Sequence, residues 1–161
     1  HGHSARLERI SLKLGKKLGL SGRKLFNLSY GAFFHDIGKA KIPSEILKKE
    51  GVLSAKEWEI IKRHPTWGRE MLEEEDFLDR AANIVEQTHE RPDGKGYPRG
   101  LESSQIDIEA KIIAVVDAWD AMRTDRPYRD ALPKEEAIRE LEENAGEQFD
   151  KEIVEVFLDM I

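Results

Sequence analysis

The stretch Phe33-Phe34-His35-Asp36-Ile37-Gly38-Lys39-Ala40-Lys41-Ile42-Pro43 sets an imidazole and a carboxylate side by side at the end of an apolar approach. Leu25, Leu28 and Ala32 lead into His35 at three- and four-residue spacing, the repeat of one helical face, so the pair should emerge on the core side. An ionised Asp beside a His on a buried face is costly unless its charge is compensated, and a metal cation is the usual compensation. A His-Asp pair alone is weak evidence, because most such pairs are ordinary helix-end residues. The positions of the other histidines carry the argument further.

A first helix is expected over about 3–18, where Leu7, Ile10, Leu14 and Leu18 share a face and His3 sits one turn before Leu7. Ser54 and Glu57 read as a capping box that opens a helix through Trp58, Ile60 and Ile61 to His64, with Pro65 marking a break or a new start. A helix over about 78–88 carries Leu78, Ala81 and Val85, and the next position on that face is His89. Four of the five histidines therefore lie where an apolar helical face meets a cavity. Independent core histidines would rarely fall this way. The most apolar helix, Ile108 to Met122, places Ile113 and Asp117 on one face, and a carboxylate there needs a partner.

The rest of the chain agrees with an all-helical bundle. Gly19, Ser21 and Gly22 separate the first two helices. Ile42, before Pro43, is pushed toward extended backbone, and Ser44 reads as the cap of a short turn. Glu73 to Asp76 is expected to be a solvated face, Pro133 a first helical residue and Asp150 the cap of the last helix. No strand pattern, repeat or low-complexity segment is present. The loop Arg91-Pro92-Asp93-Gly94-Lys95-Gly96-Tyr97-Pro98-Arg99-Gly100 is rich in turn residues and reads as a lip over the site, presenting a tyrosine and basic side chains.

Composition narrows the chemistry. At 161 residues, 39% hydrophobic and 36% charged, one globular domain with a real core is expected, and no apolar run approaches a membrane span. The absence of cysteine excludes disulfides and thiolate metal sites and suits a cytoplasmic protein. A net charge of −6 argues against a general surface for nucleic-acid polymers but not against a small anionic ligand. The chain opens on His1-Gly2-His3 without Met, which reads as a fragment whose upstream part is missing.

Six candidate ligands result: His3, His35, Asp36, His64, His89 and Asp117. Imidazole and carboxylate without sulfur favour iron, manganese or zinc. Six donors exceed the need of one tetrahedral ion, and Asp36 has two oxygens with which to bridge two. Such a pair holds a hydroxide nucleophile and steadies the charge on a phosphoryl group. Lys39, one turn beyond Asp36, is placed to meet a phosphate oxygen, and Arg123, Arg126 and Arg129 offer either salt bridges or phosphate contacts. With no Walker-type loop and no Ser-His-Asp triad, hydrolysis of a phosphate ester is the reaction class these residues favour.

His35-Asp36-Ile37-Gly38-Lys39 together with Gly96-Tyr97-Pro98 resembles the HD-GYP family of the HD superfamily of metal-dependent phosphohydrolases. The resemblance runs from Gly2-His3-Ser4 through His89-Glu90-Arg91 and Asp125-Arg126-Pro127-Tyr128-Arg129 to Phe149-Asp150, so residues 1–161 read as one such domain, beginning inside its first helix. It implies a helical domain with two divalent metal ions, iron or manganese first and zinc, nickel or magnesium as alternatives. It also implies hydrolysis of cyclic di-GMP to linear pGpG or GMP, an upstream sensor or receiver region, and GGDEF-domain partners reached through the GYP loop. No membrane contact is implied for this domain. By resemblance, His3, His35, Asp36 and Asp117 serve one metal, with Asp36 bridging, and His64 and His89 serve the second. Asp36 and Lys39 are the catalytic pair; Lys39, Arg126 and Arg129 contact phosphate and guanine, and Tyr97 walls the pocket. The chain departs from the family where two adjacent histidines usually precede Glu90: here Thr88 precedes His89, so the second metal loses an imidazole. That departure leaves a degenerate signalling or binding module as an alternative reading, beside a phosphohydrolase acting on another nucleotide and a purely structural helical domain.

Overall fold

A computed structural model describes residues 2–125 and 130–161. Among them the fold is an all-α helical bundle, as the periodicity predicted. Helix α1 (His3–Lys17) ends where Gly19 takes φ +83, a left-handed turn suited to glycine. Helix α2 (Gly22–Phe34) follows and packs along it, burying Leu28 and Ala32 against Leu7 and Leu14. A 3₁₀ turn over Ile37–Lys41 leads into Ile42, whose ψ of 131 is the extended backbone required before Pro43. Short helices α3 (Ser44–Leu47) and α4 (Ala55–Ile61) come next, then α5 (His64–Leu72), α6 (Asp79–Gln87) and α7 (Ile108–Met122), and finally α8 (Lys134–Glu143) and α9 (Lys151–Leu158).

Helix α7 is the axis of the bundle. Ala110, Ile112, Ile113, Val115 and Val116 are fully buried, and it meets α1, α2, α6, α8 and α9. That explains why its sequence is so largely apolar. A smaller apolar cluster of Leu72, Leu78, Ala81, Ala82 and Val85 joins α5 to α6. These two clusters fix the four helix ends that carry the histidines.

The caps follow the sequence with small shifts. Both halves of the Ser54–Glu57 box form, Glu57 N donating to Ser54 Oγ at 3.3 Å and Ser54 N to Glu57 Oε2 at 2.7 Å. Asp150 Oδ1 accepts from Ile153 N at 3.3 Å, as expected. Ser44 is the first residue of α3 rather than its cap, and Pro133 precedes α8 by one residue. His64 does not close the Trp58 helix: α4 stops at Ile61, and His64 opens α5, with Pro65 in the first turn where no N–H is needed. Glu73 to Asp76 is exposed, as a solvated face should be.

Candidate metal centre

Six side chains from five places in the chain converge in two groups, His3, His35 and Asp117 in one and Asp36, His64 and His89 in the other. His3 opens α1, His35 caps the end of α2, Asp36 starts the 3₁₀ turn, His64 opens α5, His89 follows α6 and Asp117 stands on α7. In the first group His3 Nε2 lies 3.3 Å from His35 Nε2 and 3.2 Å from Asp117 Oδ1. In the second, His64 Nε2 lies 3.1 Å from His89 Nε2. Asp36 links the two: Oδ2 is 3.4 Å from His35 Nε2, and Oδ1 is 3.4 Å from His64 Nε2.

The orientation of the rings decides what this arrangement wants. His35 Nδ1 donates to Ala32 O at 2.9 Å, His64 Nδ1 to Ile61 O at 2.8 Å, and His3 Nδ1 to Asp120 Oδ2 at 2.7 Å. The His35 and His64 rings, with Nδ1 on a carbonyl, therefore turn an Nε2 lone pair inward toward the Asp36 carboxylate, and acceptors face acceptors. Asp36 Oδ1 is buried and makes no hydrogen bond among the described residues, a costly state for a carboxylate oxygen. Two nitrogens bound to one cation at about 2.1 Å stand roughly 3.0–3.4 Å apart at tetrahedral to octahedral angles, and the Nε2 pairs lie within that range. The residues present fit two divalent cations.

The electrostatics agree. Burial alone would raise Asp36, but the His35 and His64 imidazoles, each 3.4 Å from one of its oxygens, and the charge of Lys39 hold its carboxyl well below the usual range. Burial likewise opposes the ionisation of Asp117, and His3 and His35 outweigh it. The His3 imidazole is raised to about 9, chiefly by its bond to Asp117. Burial pushes His89 down, and neighbouring His64 adds to the effect, leaving a neutral ring. The site is a nest of acceptors whose charge protons or cations must balance.

The supporting shell holds residues that periodicity did not single out. Asp120 is buried and accepts from His3 and, through two nitrogens at 2.7 and 2.9 Å, from Arg6. Its spacing from Asp117, one turn along α7, was the only signal. Glu90, also buried, accepts from Arg99 N at 2.6 Å and Leu101 N at 2.8 Å, and so ties down the far arm of the glycine-rich loop. Two motif glycines are steric necessities. A Cβ on Gly38 would lie 1.9 Å from His64 O, and one on Gly96 would lie 2.4 Å from Arg91 N.

Lys39 stands beside the centre, its Nζ 2.7 Å from Asp36 Oδ2. Tyr97 stacks on His89 at 5.1 Å with the rings 5° from parallel, and burial, with Asp36 and Asp117 nearby, pushes its phenol up to about 12. Thr88 is buried and donates its hydroxyl to Val85 O at 3.0 Å, back along its own helix. Arg126 and Arg129 lie outside the described residues. A cleft of about 520 Å³ opens over the centre, lined among others by Trp58, Lys62, His89, Lys95, Tyr97 and Asp117. Among the described residues no helix is long and apolar enough to cross a membrane.

Comparison with known proteins defines the class. The HD domain family model matches residues 1–153, and the chain belongs to that family. The HD-GYP resemblance of the motifs is borne out by its relatives. The chain is 41% identical over 160 residues to a cyclic di-GMP phosphodiesterase of Thermotoga maritima, matching 98% of this chain and 44% of that protein. It is 40% identical to a cyclic di-GMP phosphodiesterase response regulator of Xanthomonas campestris, over 98% of this chain and 43% of that one. A 3'3'-cGAMP-specific phosphodiesterase of Vibrio cholerae shares 33% identity over 94% of the chain. The chain thus spans less than half the length of the first two. An HDG"Y"P protein from Bdellovibrio bacteriovorus superposes with a TM-score of 0.78 at 25% identity, over 98% of this chain and 51% of the other.

Proposed function

We propose that this chain is the catalytic domain of a metal-dependent phosphodiesterase that hydrolyses cyclic di-GMP to pGpG and on to GMP. The observation that carries the reading is Asp36, whose two oxygens face one imidazole of each donor group while Oδ1 goes without a hydrogen bond. His3, His35 and Asp117 would hold one ion, His64 and His89 the other, and Asp36 both, with iron or manganese best suited to these donors. When bound, such a pair supplies a Lewis acid for the phosphoryl oxygens and a water acidic enough to attack at neutral pH. The protein's own residues do the rest. Carbonyls of Ala32 and Ile61 hold two ligand rings in the required tautomer. Lys39 brings an ammonium to the rim, where a phosphate oxygen would meet it. Tyr97 stays a neutral phenol at any working pH and walls the cleft beside His89.

Cyclic di-GMP is favoured over another cyclic dinucleotide by the names of the relatives at 41% and 40% identity; those named for 3'3'-cGAMP share 33–37%. The name of the response regulator relative supports an upstream input region as well. Incubating the manganese- or iron-loaded protein with cyclic di-GMP and separating the nucleotides is expected to show pGpG and then GMP; no turnover with either metal would end the reading.

One observation favours a weaker variant of it, a module that binds but turns over slowly. Thr88 spends its hydroxyl on Val85 O, so the second group has two imidazoles where relatives of the HD-GYP type usually have three. Thr88→His is expected to raise the affinity for the second ion and the rate together. An unchanged rate with higher metal content would show that the second ion does not limit turnover.

A further inference from the structure

The cleft that opens over the metal centre ends on a half-exposed indole that no guanidinium among the described residues covers. Trp58 is 45% exposed, an unusual state for the largest side chain in a folded protein. The other two tryptophans are covered: Arg63 lies 4.9 Å over Trp67, and Trp119 meets Phe157 at 5.6 Å and Arg123 at 5.9 Å. The ring contact found for Trp58 is with Tyr97, at 6.3 Å and 73°, an edge-on meeting that leaves an indole face open. We propose that this face is the stacking platform for one purine base of the nucleotide, a base subsite at the outer end of the cleft. The inference rests on the reading of the centre as a nucleotide phosphodiesterase.

Three features say what the platform takes. The first is order along the cleft: His89 stacks with Tyr97 at 5.1 Å, and Tyr97 meets Trp58 at 6.3 Å. Two ring spacings therefore separate a candidate metal ligand from the indole, comparable to the span of a nucleotide from phosphate to base. A phosphate held at the inner end leaves its base at the indole. The second is charge. Lys95 on the loop lines the same cleft and has no ion pair among the described residues, and Lys62, one turn beyond Trp58, lines it too while paired with Glu59. Cations around a flat apolar surface suit an anion that carries an aromatic ring, and they disfavour an aliphatic peptide or lipid chain. The third is rigidity. Helix α4 is only seven residues long, yet its start is fixed by the Ser54–Glu57 box and by Lys49, whose Nζ lies 2.7 and 2.9 Å from the Glu57 carboxylate. A platform held this firmly loses little entropy when a base lands on it.

The test is binding of a hydrolysis-resistant phosphorothioate analogue of cyclic di-GMP to the metal-loaded protein, by calorimetry, for wild type, Trp58→Ala and Trp58→Phe. Inorganic phosphate serves as the base-free probe and metal content as the control. Base stacking on an aromatic is worth ~1–3 kcal/mol by alanine substitution, so Trp58→Ala should weaken the analogue roughly 5- to 150-fold. Phosphate affinity and metal content should hold, and Trp58→Phe should keep most of the binding. The proposal is overturned if Trp58→Ala binds the analogue like wild type, if it loses phosphate and analogue equally, or if the wild type does not bind the analogue. Turnover of cyclic di-GMP is read separately. Trp58-dependent binding without turnover sinks the hydrolytic reading and leaves the subsite standing; turnover with a Trp58-independent KM does the reverse.

Discussion

Asp120 and Arg6 form a pair beneath the candidate ligand His3, with the carboxylate taking two guanidinium nitrogens on one side and His3 Nδ1 on the other. An outer partner of this kind fixes the ring and raises its basicity, so Asp120→Asn is expected to weaken metal binding by roughly 10- to 100-fold. Competition titration against a chromophoric chelator measures this, and a folded variant with unchanged affinity would remove Asp120 from the account. The same neighbourhood sets a pH dependence. Asp117 first, and Asp120 after it, raise His3 from 6.5 to about 9 in the metal-free chain. Below about pH 6.5 His3 is protonated folded or unfolded, and the bond to the carboxylates stabilises fully; as pH rises through about 9 the folded chain loses that proton and the stabilisation with it. The chelator-treated protein should therefore melt lower at pH 9.5 than at pH 6.5. Metal uptake at pH 7.5 should also release a proton, seen as a buffer-dependent heat in calorimetry. None of this was legible in the residues singly, because Asp120 reads as one more acid in an acid-rich chain until α7 and α1 are packed together.

At the scale of elements, the join between the 3₁₀ turn and α5 is what places His35 and Asp36 opposite His64. The backbones meet at Gly38, where a methyl group would lie 1.9 Å from His64 O and 2.5 Å from Gly68 N. These are backbone atoms that cannot step aside. Gly38→Ala should cost about 3 kcal/mol by overpacking, read as a lower denaturant midpoint, and the metal content should fall with it. A variant as stable as the parent would mean the two elements are not held this close. In the sequence Gly38 is only one residue of the His35–Lys39 motif, since the residue it must avoid lies in an element that sequence spacing cannot bring near. His64 shows the same limit: its four-residue spacing from Ile60 suggested one continuous face, whereas α4 ends and Pro65 starts a new helix. The capping box at Ser54 and the Asp150 cap were legible because both are local, satisfied within three residues.

For the whole molecule, the bundle was readable because each core helix repeats its apolar residues every three or four positions, and α7 is the most apolar of them. The six candidate donors stood out in the sequence because four histidines lie where an apolar helical face meets a cavity, Asp36 adjoins one of them and Asp117 shares an apolar face with Ile113. Their division into two groups came from the family resemblance and not from spacing: residues as far apart in sequence as His3 and Asp117 meet only when α1 and α7 pack on α2. The central claim is that Asp36 stands between two cations. Crystals of protein loaded with iron or manganese, measured at the absorption edge of that metal, test it directly. The account predicts two anomalous peaks, one among His3, His35 and Asp117 and one between His64 and His89, each in contact with an oxygen of Asp36. A single peak away from Asp36, or none in fully loaded protein, would contradict it.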